Sequence, residues 1–212
     1  MSDKINEFSY NVAPVWYDIR GFFILSLSYR NTLFRQIKFF SENLKGNHLE
    51  CAIGTASLTM FCMIYNKIFS KNDYKMVGVD YSEALLKGAK WKLGNSVLLK
   101  EDLRSMSFED ESFDSINFAN GYHTLEGIDQ GMKEISRVLK KDGTLYINIL
   151  LKPKDKLLDG LSRWVNRYGM RTGILKRPYT YEECMKIPDQ YNLKILDASI
   201  HQNCLYLKTQ KL

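Results

Sequence analysis

His48-Leu49-Glu50-Cys51-Ala52-Ile53-Gly54-Thr55-Ala56-Ser57 decides the fold. The first residues read as a short strand, Gly54 marks a tight turn, and Ser57 opens a helical pattern carrying Leu58, Phe61, Met63, Ile64 and Ile68. The strand carries an acid, Glu50, near its end. A second strand, Lys75-Met76-Val77-Gly78-Val79-Asp80, also ends on an acid. In an open parallel sheet, ligands lie in the crevice outside the carboxyl ends of the strands. Two carboxylates there suit a ligand rich in hydroxyl or amino groups, such as a ribose joined to an amino acid.

Outward from this stretch the alternation continues. Ser82 is a good N-cap for a helix buried along Leu85, Leu86 and Ala89. Strands are expected at Val97–Lys100, Asp114–Ala119 and Thr144–Leu150, with a helix striped by Ile128, Met132, Ile135 and Leu139 and a turn at Asp142-Gly143. Strands alternating with helices mean βαβ units and a mostly parallel sheet. Beyond Pro153, Leu157, Leu158, Leu161, Trp164, Val165 and Tyr168 form a helix, followed by a basic loop from Gly169 to Arg177. Thr180 and Glu183 have capping-box spacing. Lys194–Ile200 and Cys204–Lys208 pattern as an antiparallel pair at the sheet edge.

Ahead of the sheet, residues 8 to 18 are rich in aromatics and interrupted by Pro14, an irregular arm or a short helix. Ile19, Phe22, Phe23, Leu27 and Arg30 then fall near one face of a helix, and Leu33, Ile37, Phe40 and Leu44 continue a stripe up to Gly46. The plain expectation is a cover over the sheet or its ligand; the sharper one is a substrate lid or an interfacial patch. The organisation expected is therefore a helical arm or lid over residues 1–46 and one globular domain over 47–212.

Composition bounds the rest. The 212 residues are 45% hydrophobic and 25% charged, ordinary for a globular domain. A net charge of +6 is too mild to indicate nucleic-acid binding, though it suits anionic substrates or surfaces. Cys51, Cys62, Cys184 and Cys204 lack metal or CxxC spacing and read as reduced core thiols of a cytoplasmic protein. No apolar leader follows Met1, and the apolar run from Gly21 to Leu27 is far short of the ~20 residues that span a bilayer.

The ordered set of turn, acids and loops resembles the class I S-adenosylmethionine-dependent methyltransferases. The resemblance covers roughly Phe8 to Leu150. That family carries an acid-x-Gly-x-Gly-x-Gly turn after its first strand; here it reads Glu50-Cys51-Ala52-Ile53-Gly54-Thr55-Ala56, with alanine for the first and third glycines. Arg137-Val138-Leu139-Lys140-Lys141-Asp142-Gly143 is similar to the family's Arg-Val-Leu-Lys-Pro-Gly-Gly segment. Phe8-Ser9, Asn11-Val12-Ala13 and Tyr17-Asp18 resemble the opening of the ubiquinone/menaquinone-biosynthesis (methyltransferase type 11) group.

The resemblance implies a Rossmann-like, doubly wound, seven-stranded α/β sheet with an antiparallel C-terminal hairpin, and S-adenosyl-L-methionine as cofactor. Glu50, Ala52, Gly54 and Ser57 would meet its amino acid part. Asp80 would accept from both ribose hydroxyls, an acceptor-only group suited to that task. Tyr81 would pack on the adenine, with Asp102 and Leu103 at its edge, and Asn120 and Gly121 would flank the methyl group. Catalytic candidates are His123, whose side-chain type titrates near neutrality, with Tyr122 and Tyr17. His48 and His201 read as structural or exposed, and Tyr179 and Tyr181 as further pocket candidates. The expected activity is methyl transfer to a small lipophilic or aromatic acceptor by a monomer or homodimer, without nucleic acid and without a metal. Peripheral membrane contact is left open. An RNA- or protein-directed enzyme using Arg171, Lys176 and Arg177, and a non-catalytic cofactor-binding subunit, are the alternatives.

Overall fold

The computed structural model describes residues 13–154 and 159–212; the expected positions Phe8 to Val12, Leu157 and Leu158 lie outside them. Elements run in the order α1 (Pro14–Leu27), α2 (Leu33–Ser41), β1 (Gly46–Cys51), α3 (Ser57–Tyr65) with a π-helical turn (Asn66–Ser70), β2 (Tyr74–Asp80), α4 (Glu83–Leu93), β3 (Val97–Lys100) and β4 (Phe113–Phe118). There follow α5 (Ile128–Val138), β5 (Leu139–Leu150), α6 (Gly160–Arg171), α7 (Tyr181–Met185), α8 (Ile187–Gln190), β6 (Leu193–His201) and β7 (Cys204–Lys211). The sheet order is β3-β2-β1-β4-β5-β7-β6. β1 pairs in parallel with both β2 and β4, and among the described strands only β7 runs antiparallel to its neighbours β5 and β6. The chain winds outward from β1 to β3, then restarts at β4, so the switch point lies between β1 and β4, where such sheets place their ligands.

Local signals explain the elements. Leu85 N–H donates to Ser82 Oγ at the start of α4 (3.4 Å). Thr180 and Glu183 form the reciprocal capping box, at 3.2 and 2.7 Å. In α5, Met132, Ile135 and Val138 are fully buried against one face of the sheet, with Leu49, Ile116, Phe118 and Leu145. On the opposite face Phe40, Leu44, Cys62 and Tyr206 pack beneath α2 and α3. All four cysteines are buried free thiols, and burial raises each of them. One expectation fails: Asp142-Gly143 is not a turn between elements. β5 runs through both residues, with a register shift against β4 and Asp142 at φ 62°. An irregularity near one strand end looks like a turn from sequence, yet β7 pairs along β5 from Thr144 onward.

Candidate active site

A cavity of about 940 Å³ opens above the carboxyl ends of β1, β2 and β4. The turn after β1 forms its floor. Ala52, Gly54 and Ala56 all take left-handed backbone, at φ 53°, 58° and 60°. Only glycine adopts that region without cost, so two alanines hold a strained turn. The gain is an N–H turned toward β2: Gly54 N–H donates to Asp80 Oδ2 (2.8 Å), and Ser82 N–H, from just beyond β2, donates to Asp80 Oδ1 (2.9 Å). Asp80 is buried, which raises its carboxyl pKa, and these backbone donors pull in the opposite direction. Each oxygen spends one lone pair on the backbone and keeps acceptor capacity toward the cavity. Asp102 sits beside it, its carboxyl lowered by hydrogen bonds from the Arg104 guanidinium at 2.7 to 3.1 Å. Ser57, Tyr81 and Leu103 complete this end.

Glu50 is held more tightly. Asn117 Nδ2 donates to its Oε1 (2.8 Å), Thr59 Oγ1 to its Oε2 (3.3 Å), and His48 Nε2 lies 3.0 Å from Oε1. His48 is buried inside β1, and its Nδ1 meets Ser115 Oγ at 2.7 Å. The single Ser115 proton goes to Lys45 O (2.7 Å), so the hydroxyl accepts from His48. Glu50 therefore sits at the cavity floor in a buried hydrogen-bond network with His48, Asn117 and Thr59.

The far end of the cavity lies under α1. Tyr17 covers the turn: a Cβ on Gly54 would stand 3.4 Å from its ring. Asp18 bonds Thr55 Oγ1 and accepts from Lys92 Nζ (2.6 Å), and Lys92 reaches Thr55 O (3.1 Å). These contacts pin α1 over the turn. Asn120 is fixed by Gln36 and Asn148 (2.6 to 3.1 Å). Gly121 packs where a Cβ would overlap the Phe118 ring at 2.1 Å. Ile24, Leu33, Leu150 and Leu175 make this end apolar.

His123 lines the cavity and is buried, which lowers its pKa to about 3. Its Nδ1 accepts from Leu150 N–H (3.4 Å), leaving Nε2 as the protonated nitrogen facing Tyr29 Oη. Both nitrogens are therefore engaged, and the ring is wired as a neutral brace.

Tyr122 needs correction. It does not line the cavity but is buried in the core, edge-on to Tyr179 with centroids 5.1 Å apart, and burial raises its phenol. Adjacent side chains of the loop diverge, so His123 meets the cavity while Tyr122 meets the sheet. Tyr179 is buried in the same core and Tyr181 packs against it, outside the cavity lining. The basic loop is largely compensated: Lys176 pairs with Glu126 (2.6 Å), and Arg177 pairs with Glu183 (2.7 Å) over the Tyr179 ring. Sequence reasoning missed Tyr29 and Gln36, which carry no motif, and read Asp18 only as part of the Tyr17-Asp18 resemblance. Among the described residues no acidic or thiol cluster could hold a metal, and no helix is long and apolar enough to cross a membrane.

Comparison with known proteins bears on the family and the fold. Residues 49–147 match a family model described as a methyltransferase domain. The chain is 26% identical over 160 residues to a demethylmenaquinone methyltransferase of Bacteroides fragilis, covering 72% of this chain and 62% of that one. The match thus spans about six tenths of that relative's length. A ubiquinone/menaquinone biosynthesis C-methyltransferase of Geotalea uraniireducens is 24% identical over 212 residues, covering 93% and 87% of the two chains. Among solved structures, a SAM-dependent methyltransferase of Thermotoga maritima superposes with a TM-score of 0.71 at 17% identity, over 97% of this chain and 99% of that one. The fold is shared; the sequence has diverged widely around it.

Proposed function

We propose that this chain, a class I S-adenosylmethionine-dependent methyltransferase resembling the ubiquinone/menaquinone group, passes a methyl group to a small, lipophilic, quinone-type or aromatic acceptor. One observation carries the reading: a single cavity joins a polar end, with Glu50, Asp80 and Asp102 at the strand ends, to an apolar end roofed by α1. The donor set fits S-adenosylmethionine. Asp80 keeps acceptor capacity for the ribose hydroxyls beyond its two backbone donors. Glu50 lies on the floor beside Ala52 and Gly54, where the cofactor's amino acid part would rest. When bound, the cofactor supplies an electrophilic methyl for in-line displacement.

The chain's own residues bind, orient and exclude water. Pinning α1 through Asp18, Lys92 and Thr55 shields the transfer path. Fixing Asn120 through Gln36 and Asn148 sets the loop beside it. Such positioning is worth ~7–11 kcal/mol when geometry is held. His123 supplies no free lone pair for a proton in this wiring, so its part is to hold Tyr29 at the apolar end. The compensated charges of Lys176 and Arg177 do not favour an RNA-directed reading. A labelled-methyl assay against fractionated lipid, small-metabolite and RNA pools tests the proposal. Label is expected in the lipid or small-metabolite fraction; label confined to RNA would overturn it.

A further inference from the structure

Two adjoining helices at the cavity mouth turn apolar faces to solvent. On α1, Val15, Trp16, Ile19, Phe22 and Phe23 are all exposed, Trp16 by 68% and Phe22 by 59%. At 100° per residue these five fall within an arc of roughly 120°, one continuous stripe. On α6, Leu161, Trp164 and Tyr168 are exposed at the same spacing, and the last two rings stack with centroids 6.2 Å apart. The inward face of α6 is the reverse of a core-facing helix: it buries Ser162, Asn166 and Gly169. Ser162 Oγ donates to Leu27 O (2.7 Å), and Ser28 Oγ donates to Asn166, whose own amide nitrogen finds no partner among the described residues. Packing among the described residues thus does not account for the aromatic residues of α6, which lie on its outer face.

Charge identifies what would cover it. Arg163, Arg167 and Arg171 follow one another at four-residue spacing along α6, next to the aromatic stripe. Arg167 and Arg171 are exposed, and the single acid at the helix start, Asp159, is buried against Arg30 (2.9 Å). A basic row beside Trp, Tyr and Leu is the pattern of a helix lying in a membrane interface, where the rings enter the headgroup boundary and the arginines meet phosphates. The same two helices line the cavity, through Gly21, Phe22 and Ile24 from α1 and Val165 and Gly169 from α6.

We infer that the outer faces of α1 and α6 form a docking surface for an anionic lipid bilayer, placing the cavity mouth at the membrane. The surface carries this inference by itself, and its test needs no methyl transfer, so its failure is separable from that of the proposed activity. The full chain carrying Trp91→Phe, whose emission then reports only Trp16 and Trp164, is mixed with vesicles of phosphatidylglycerol and phosphatidylcholine, and with phosphatidylcholine alone. A blue shift and co-sedimentation with the anionic vesicles, weakened by salt, are expected. Phe23→Ser, Trp164→Ser and Tyr168→Ser combined should weaken partitioning at least ~10-fold, as lost interfacial area and aromatic contact require. Circular dichroism and cofactor calorimetry on this variant verify that it is folded. No shift and no sedimentation would overturn the inference. So would light scattering showing a dimer that the triple variant abolishes, because a second copy would then be the occupant.

Discussion

The strained turn makes a quantitative prediction. Ala56 and Ala89 both have their methyl groups buried in one cluster, with Ile53 and Leu86. By side-chain burial alone, replacing either with glycine should cost the same. Losing a buried methyl costs about 0.8 kcal/mol. Ala89 lies inside α4, where glycine costs about a further 0.8–1.0 kcal/mol in helix propensity, so Ala89→Gly should destabilise by roughly 1.7 kcal/mol. Ala56 instead sits at φ 60°. Glycine there relieves about 1–2 kcal/mol of left-handed strain. It also returns about 0.4–1 kcal/mol of freedom to the unfolded chain. With the methyl loss, Ala56→Gly should come out within about 0.8 kcal/mol of neutral. Urea unfolding of the cofactor-free chain, fitted with a common slope, measures both. The difference between the two variants should be at least ~0.8 kcal/mol. Equal losses would mean that the turn stores no strain and that its left-handed geometry is wrong.

Other outcomes follow from the buried groups. His123 has its folded pKa lowered to about 3 from 6.5. Between those values the unfolded chain binds more protons, so this residue's stabilisation is complete above about pH 6.5 and falls as pH drops toward 3. Replacing it with Gln should flatten the acid side of a guanidinium midpoint-versus-pH plot. Turnover should likewise show no inflection near pH 6.5 that disappears with His123→Gln; an inflection lost in the variant would restore His123 as the base. His48→Ala should cost about 1–3 kcal/mol, because Glu50 would lose one of its buried hydrogen-bond partners while Asn117 and Thr59 remain. Adding Glu50→Gln should recover part of that loss, read as a coupling energy in a double-mutant cycle.

The sheet was legible because its signals are periodic. Acids near the ends of β1 and β2, Ser82 before α4, and the Thr180–Glu183 pair are local in sequence and local in space. Gly54 and Asp80 could be placed for the same reason, at or just past a readable strand end, whereas Asp102 was reached only through the family resemblance. The apolar end was not legible. Tyr29, Gln36 and Asn148 converge from positions far apart in the chain, and none carries a motif. Tyr122 was misplaced because sequence adjacency to His123 says nothing about which side of a loop each side chain takes. The His48–Glu50 pair was hidden by strand alternation: residues two apart share a face, but only the fold shows that both are buried. The substituted glycines were readable as an anomaly, whereas the left-handed conformation of both alanines is a tertiary fact.

The most direct measurement is a calorimetric titration of the chain with S-adenosyl-L-methionine and with S-adenosyl-L-homocysteine, repeated on Asp80→Ala. Saturable one-to-one binding of both, abolished in the variant while its circular dichroism spectrum is retained, is the result predicted from Asp80 at the carboxyl end of β2. Absence of binding to the unaltered chain, or equal affinity in Asp80→Ala, would show that the crevice does not hold the cofactor as described.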